Sequence, residues 1–227
     1  MSFYQQIAPY YHHIFKINVN QVDFIKLKIP ESDCKVLDIG CGIGTLSLEL
    51  TKYYKNVLGI DMDAEMIRVA SKTIESTSKS IQFQQTSMLK LNAFIDKNTL
   101  DGIICFGNTL VHLNSLDEIA DFLQQSKAFL KSNGKLLFQI VNYDKIIEKN
   151  IKQLPIIKND EIIFERNYYY RKSENKIDFN TRLTVKLPQQ IIENSIELLP
   201  VLKNELAILL KNAGFNNCNY YGNFNQE

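Results

Sequence analysis

The chain has 227 residues, 45% of them hydrophobic, and its 26 Lys and Arg nearly balance its 25 Asp and Glu. This length fills one sizeable core with a small additional lobe, and the scattered lysines exclude a dense basic surface that would bind nucleic acids. No apolar run approaches the ~20 residues that cross a bilayer, and four widely spaced cysteines without a signal peptide predict a cytoplasmic protein with reduced thiols and no metal site.

We predict that residues 1–30 form an N-terminal helical cap. Tyr4, Ile7, Tyr11 and Ile14 recur at near-helical spacing, which is typical of helices with one apolar face. Such a segment could cover a site or simply pack against the core.

From residue 35 onward, short apolar runs alternate with stretches of helical periodicity. We predict strands at 35–39, 56–60, 81–85, 101–106 and 135–141, with helices between them, because this alternation is typical of a parallel sheet. The clearest helix covers 115–131: Ser115 and Glu118 form a capping-box pattern, and Gly134 is expected to close the far end.

The pattern changes after Val141. Aromatic and β-branched runs at 162–170 and 177–187 predict antiparallel strands. We interpret these strands as a lid inserted at 151–199, on the side where a substrate would bind. We predict a helix at 202–213 that ends at Gly214, and a sixth strand at 215–221. These two elements would complete a core formed by residues 31–150 and 200–227. The expected fold class is α/β, a doubly wound and mainly parallel sheet with a small antiparallel lid. Too few residues follow for a seventh strand, so we expect a sheet edge that is exposed or filled by a partner.

A glycine-rich turn follows the first strand and is the central feature of the sequence. Gly40, Gly42 and Gly44 carry no Cβ atoms, so a ligand can approach the backbone closely. A dinucleotide-binding loop would have glycine where Thr45 stands, and Asp38 would repel a pyrophosphate. The same carboxylate suits the sulfonium and ammonium groups of S-adenosylmethionine, although it could also be a turn-capping acid.

The second strand ends in Asp61, about 20 residues beyond the glycine turn, where an acid can bind both ribose hydroxyls. Asp63 is the expected N-cap of the next helix. Met62 could lie against an adenine ring or fill a gap in the core.

Residues 36–45 and 57–62 resemble the first two motifs of class I S-adenosylmethionine-dependent methyltransferases in content and spacing. Phe3-Tyr4, Ile7-Ala8, Tyr10-Tyr11 and residues 101–113 are similar to the branch of glycine and sarcosine N-methyltransferases and their uncharacterised bacterial relatives, although His12 replaces that branch's usual aspartate. The resemblance implies a Rossmann-like methyltransferase fold with S-adenosylmethionine as cofactor. It also implies that Tyr11 covers the cofactor, that the Phe106 carbonyl and His112 hold its methionine end, and that Asn108 faces the acceptor.

Two further residues are expected on the adenine side. Where such enzymes often have an acid that binds the adenine amino group, this chain has Ser87 and Met88. We expect one hydrogen bond to adenine from the Ser87 side chain and one contact from the Met88 backbone, and therefore weaker adenine recognition. The predicted cofactor-binding residues are therefore Tyr11, Asp38, Gly40, Cys41, Gly42, Gly44, Asp61, Met62, Ser87, Met88, Phe106 and His112.

The resulting prediction is an enzyme that transfers a methyl group to a nitrogen or oxygen atom of a small molecule. His112 and Asn108 are the catalytic candidates, although without the resemblance they would be a surface helix residue and a turn residue. Gly107-Asn108-Thr109 stands where enzymes that methylate DNA bases often carry Pro-Pro-Tyr, which argues against a nucleobase acceptor.

Two other functions are the alternatives: a non-catalytic S-adenosylmethionine-binding regulator and a dinucleotide oxidoreductase. The sequence indicates no nucleic-acid or membrane partner and leaves the oligomeric state open.

The segment after the fifth strand bears on the acceptor. The glycine enzymes have an arginine just before Asn-Tyr-Asp, whereas this chain has Val141, which offers no donor to a carboxylate. We therefore expect that glycine is not the acceptor and that the site prefers a less acidic molecule, unless Arg166, Arg171 or Arg182 replaces the missing arginine. In the lid, Tyr169 should point opposite to its two tyrosine neighbours, which could line the acceptor site or pack the lid onto the sheet.

Overall fold

A five-stranded parallel sheet forms the centre of the protein. The computed structural model describes residues 3–74 and 80–227. The strands of this sheet are β1 (Lys35–Ile39), β2 (Asn56–Asp61), β3 (Ile81–Gln85), β4 (Leu100–Cys105) and β5 (Leu130–Phe138). Their spatial order is β3-β2-β1-β4-β5, and every neighbouring pair is parallel. The predicted doubly wound α/β fold is confirmed, and its strand order reverses between β1 and β4, where ligands of such sheets bind.

Helices connect these strands and precede the first of them. In chain order they are α1 (Phe3–Ile7), α2 (Tyr11–Ile14), α3 (Val19–Lys28), α4 (Thr45–Leu50), α5 (Ala64–Ile74), α6 (Leu116–Phe129), α7 (Tyr143–Glu148) and α8 (Lys203–Asn212). Short 3-10 turns occur at Ala8–Tyr10, Met88–Ala93 and Thr109–His112. Within the described part of the chain, no helix combines the length and apolar character needed to span a membrane.

Helix α6 begins as predicted but ends differently. The Ser115 hydroxyl accepts a hydrogen bond from the Glu118 backbone N–H at 3.2 Å and caps the first turn. The helix ends at Phe129, and the chain continues directly into β5. Gly134 lies inside that strand, where a Cβ atom would come within 2.9 Å of the Leu100 carbonyl oxygen. The prediction that Gly134 closes the helix was therefore wrong. Gly134 instead lies in β5, where the absence of a Cβ atom lets this strand approach β4 closely.

A second sheet, entirely antiparallel, is formed by β6 (Ile157–Lys158), β7 (Ile162–Arg171), β8 (Lys176–Val185) and β9 (Gln190–Leu198). The antiparallel strands predicted at 162–170 and 177–187 are confirmed as β7 and β8, whereas β6 and β9 are additions within the predicted lid segment. Tyr168 is 5% exposed and Tyr169 is 64% exposed, so the two side chains point to opposite faces as expected.

The segment after α8 corrects one prediction. Gly214 ends the helix in a left-handed conformation with φ of +87°, as predicted. Residues 215–221 form no strand, and the described part of the central sheet ends at β5. Asparagines interrupt this segment and most of its residues are exposed, so it has no alternating apolar face to bury. The chain instead packs Phe224 against Phe106, with ring centroids 5.1 Å apart.

The N-terminal helices contact both sheets. Helix α1 packs against β9 and against α5, and α2 packs against β7. Ile7, Ala8 and Ile14 are buried in one apolar cluster with Phe164 and Leu183 of the antiparallel sheet. This segment therefore joins the antiparallel sheet to the carboxyl edge of the parallel one.

Candidate functional site

The glycine turn lies between the carboxyl end of β1 and the start of α4. Its two later glycines have different neighbours: a Cβ atom on Gly42 would lie 3.3 Å from the Tyr11 ring, and one on Gly44 would lie 2.3 Å from the Phe83 ring. The Tyr11 ring therefore packs over the turn, and its predicted contact with the cofactor stays a prediction. Gly44, a predicted cofactor-binding residue, permits tight packing of β3 against the turn.

Asp61 connects the second strand to this turn. Its Oδ2 accepts a hydrogen bond from the Gly42 N–H at 2.9 Å, and its Oδ1 accepts one from the Asp63 N–H at 2.9 Å. Burial raises the pKa of Asp61, while these backbone donors oppose the shift. Each carboxylate oxygen can accept more than one hydrogen bond, so Asp61 remains able to bind a pair of hydroxyls. Asp63 accepts from the Glu65 N–H at 2.9 Å and is the N-cap that the sequence predicted.

Asp38 is the most buried charged residue of the site, with only 3% of its surface exposed. The Ser47 hydroxyl donates a hydrogen bond to it. Burial raises the pKa of Asp38 to about 7, the Ser47 hydrogen bond lowers it, and the nearby Asp61 charge raises it further. Its partner is a side chain of α4 rather than a turn amide, so the described contacts do not support the turn-capping interpretation. A cation placed beside Asp38 would stabilise its ionised form.

The predicted adenine side is more open. Met62 is 73% exposed, so it does not fill a gap in the core. The Ser87 hydroxyl accepts a hydrogen bond from the Leu89 N–H at 3.2 Å and caps the 3-10 turn that begins at Met88. Ser87 therefore keeps its own proton and one remaining lone pair for a further partner.

The loop after β4 is joined to the loop after β5. The Asn108 amide Nδ2 donates to the Tyr143 hydroxyl at 2.9 Å, and its Oδ1 accepts from the Val141 N–H at 3.0 Å. The Thr109 hydroxyl donates to the Phe106 carbonyl at 2.8 Å. Both ends of the Asn108 amide are thus engaged within the protein, which gives this residue a clear role in positioning the two loops.

His112 meets an N-terminal residue across the site. The Tyr4 hydroxyl lies 2.9 Å from His112 Nε2, although the two residues are 108 positions apart. Burial lowers the pKa of His112 to about 4, so the imidazole is neutral near pH 7. Burial likewise raises the pKa of the Tyr4 hydroxyl, which stays protonated.

A cavity of about 370 Å³ connects these groups to the antiparallel sheet. The predicted residues that line it are Tyr11, Asp38, Gly40, Cys41, Phe106, Asn108 and His112. The predicted residues outside its lining are Gly42, Gly44, Asp61, Met62, Ser87 and Met88. The opposite wall includes Phe164, Arg166, Tyr168 and Phe179, of which only Arg166 and Tyr168 had a sequence signal.

Comparisons with known proteins show what the chain is similar to. Residues 36–134 match the family model described as a methyltransferase domain. A ubiquinone biosynthesis O-methyltransferase from Actinobacillus pleuropneumoniae serotype 7 is 35% identical over 133 residues, which are 57% of this chain and 55% of that protein. The chain thus spans little more than half the length of this curated relative.

Solved structures extend the likeness to nearly the whole chain. An S-adenosylmethionine-dependent methyltransferase from Clostridium acetobutylicum matches with a TM-score of 0.76 and 18% identity, covering 93% of this chain and 87% of that one. CalS10 from Micromonospora echinaspora, an amino pentose methyltransferase solved with S-adenosylmethionine bound, matches with a TM-score of 0.66 and 13% identity, covering 94% and 84%. Residues 36–134 are thus similar to a methyltransferase domain, and the solved structures share the fold of nearly the whole chain. None of these three relatives is described as a glycine or sarcosine enzyme, so that finer assignment stays a prediction.

The residues of the site suit S-adenosylmethionine, which is bound in the CalS10 structure. Asp61 offers carboxylate oxygens that suit a ribose diol, and its orientation is fixed by two backbone donors. Asp38 is a buried acid with no basic side chain paired to it in the described ranges, which suits a positively charged ligand.

Proposed function

We propose that the chain transfers a methyl group from S-adenosylmethionine to a nitrogen or oxygen atom of a small molecule. The observation that carries this proposal is the cavity of about 370 Å³, because its walls include both the glycine turn and the antiparallel sheet. The curated relative is named for an O-methylation and CalS10 for an amino pentose, so both kinds of acceptor atom enter the proposal.

The residues of the chain act by binding, orienting and excluding water. When bound, S-adenosylmethionine supplies a methyl group on a sulfonium, which is already a good leaving group. Asp61 would hold the ribose hydroxyls, and Asp38 would balance the positive charge. Tyr4 and Tyr11 close the cavity from the N-terminal side and exclude water. The acceptor atom is itself the nucleophile that displaces S-adenosylhomocysteine, so the protein needs no nucleophilic side chain, and alignment of the two bound molecules can supply most of the acceleration.

His112 is better suited to orientation than to proton removal. A general base is most effective when its pKa lies near the operating pH, and burial lowers the pKa of His112 to about 4. We infer that the neutral imidazole binds a ligand group or Tyr4 by a hydrogen bond. An acceptor that must lose its proton would therefore need a base other than His112.

Calorimetric titration with S-adenosylmethionine and S-adenosylhomocysteine tests the proposal, followed by a methylation screen over small amines, phenols and acids. Binding of both ligands and turnover of one acceptor class are the expected results. Binding without turnover across the panel would favour the non-catalytic regulator instead. Absence of binding would refute the proposed function.

Binding of S-adenosylmethionine is expected to weaken about tenfold as the pH falls from 8 to 6. Asp38 has a pKa of about 7 without ligand, so it is mostly ionised at pH 8 and mostly protonated at pH 6. A bound cation favours the ionised form, and the proton must therefore be lost on binding at low pH. Titrations of the wild type and of Asp38→Asn at both pH values measure this effect.

The Asn variant isolates the contribution of Asp38, because the ligand's own ionisation affects both proteins equally. Its affinity should be lower at pH 8 and should change less between the two pH values. Identical pH profiles for the wild type and the variant would show that Asp38 does not contact the charged part of the ligand.

A further inference from the structure

One row of the antiparallel sheet interrupts an apolar face, part of which lines the cavity. In the register of β7, β8 and β9, Arg166 lies opposite Thr181, and Thr181 lies opposite Asn194. The rows on either side are apolar: Phe164, Leu183 and Ile192 form one, and Tyr168, Phe179 and Ile196 form the other. A charged side chain in the middle of such a face is costly unless a partner compensates for its lost hydration.

Within the described residues, Arg166 has one hydrogen-bond acceptor and one aromatic neighbour, since its guanidinium carbon lies 5.9 Å from the centre of the Phe164 ring. Its Nη2 donates to the Pro155 carbonyl at 2.6 Å, whereas its Nε is buried and has no hydrogen-bond partner. Burial lowers the pKa of its guanidinium below the usual range. Unsatisfied donors of this kind are rare in folded proteins and call for an explanation.

The other arginines of the chain differ from Arg166 in having carboxylate partners, and even the Arg171 Nε, which also lacks a hydrogen bond, lies 3.1 Å from an Asp178 carboxylate oxygen. Arg68 pairs with Glu65, Arg171 with Glu174 and Glu197, and Arg182 with Glu193. Among the described residues, no carboxylate pairs with Arg166. Its guanidinium lines the same cavity as Asp38, Asn108 and His112.

We propose that Arg166 binds an anionic group of the methyl acceptor, so that the substrate is a small molecule carrying a carboxylate or a phosphate. The guanidinium presents a planar set of donors that suits either anion, and a low-dielectric wall strengthens the attraction. Phe164 and Tyr168 on the same face would contact the apolar part of such an acceptor. This inference rests on the proposed function, and it replaces the expectation of a less acidic acceptor drawn from Val141.

The test uses benzoate and phenyl phosphate as anionic probes and benzamide as their neutral counterpart. Each is titrated calorimetrically into the full chain, both ligand-free and saturated with S-adenosylhomocysteine. The variants are Arg166→Met, which keeps the apolar stem, and Arg182→Met on the opposite face of the sheet as the matched control. Arg166→Lys is a milder third variant that keeps the charge and loses the planar donors.

At least one anion should bind the wild type at least tenfold more tightly than benzamide, and Arg166→Met should remove that preference. Arg182→Met should leave it within twofold, and Arg166→Lys should lose part of it. A stronger effect with benzoate assigns a carboxylate, and a stronger effect with phenyl phosphate assigns a phosphate.

Three results would overturn the inference. The wild type could show no preference for either anion over benzamide, or Arg166→Met and Arg182→Met could lose that preference equally. If Arg166→Met fails to fold, an unchanged preference in Arg166→Lys is the third. A wild type that binds the anions but not S-adenosylhomocysteine would refute the proposed function and leave the anion site supported. The two failures are therefore distinguishable.

Discussion

Replacing Asp61 by alanine is expected to weaken S-adenosylmethionine binding by about 1.5 to 3 kcal/mol, which is roughly a 10- to 150-fold rise in Kd. The change removes a charged acceptor for the ribose hydroxyls. It also releases the N–H groups of Gly42 and Asp63, which both donate to this carboxylate at 2.9 Å. The ligand and the glycine turn are therefore affected together. Calorimetric titration measures the loss.

Two variants separate these contributions. Asp61→Asn keeps one carbonyl acceptor and should lose less affinity than the alanine variant. Asp101→Asn serves as a control, because Asp101 near the start of β4 accepts from the Lys35 N–H and pairs with Lys131, away from the turn. Unchanged affinity in Asp61→Ala would remove Asp61 from the binding site.

Gly40→Ala is expected to destabilise the fold by about 2 to 5 kcal/mol, whereas Gly107→Ala should cost about 1 to 2 kcal/mol. Both glycines have a left-handed conformation, with φ of +69° and +72°, so the backbone cost is the same. The added Cβ on Gly40 would lie 2.5 Å from both Oγ1 and Cγ2 of Thr109, while the one on Gly107 would meet nothing within 4 Å. Urea unfolding measures both free energies of unfolding.

Thr109 provides an internal control for the clash. The double variant Gly40→Ala with Thr109→Ala should recover part of the lost stability, because the two closest atoms are removed. Equal losses for Gly40→Ala and Gly107→Ala would mean that the loop after β4 moves aside freely. That result would contradict the tight contact between the two loops.

The parts of the fold that sequence predicts well are those with local signals. The buried apolar runs of β1 and β2 are followed by glycine and aspartate residues, and these residue types at strand ends indicate a binding site. The Ser115 cap predicts the start of α6 to within one residue. The error at 215–221 arose because aromatic residues favour strands, although a strand also needs a neighbour and a buried face. Gly134 was misplaced because a glycine after a helix usually ends it, whereas here the helix had already ended at Phe129.

The remaining features of the site depend on residues that are distant in sequence. No local pattern shows that Tyr4 meets His112, because the contact requires the N-terminal helices to fold back over the sheet. The placement of Arg166 opposite Thr181, and of Thr181 opposite Asn194, depends on strand register. A shift of one residue would move Arg166 to the outer face, so sequence alone could not choose among the three lid arginines.

The N-terminal helices also form part of the wall of the site. Tyr4 and Tyr11 line the cavity, while the same segment holds the antiparallel sheet through bonds such as that from the Asn159 amide to the His13 carbonyl at 2.8 Å. One outward movement of this segment would uncover the glycine turn and the Arg166 face together. Methyl donor and acceptor would then enter and leave through a single gate. Product release would then require the breaking of contacts that are remote from the transferred methyl group.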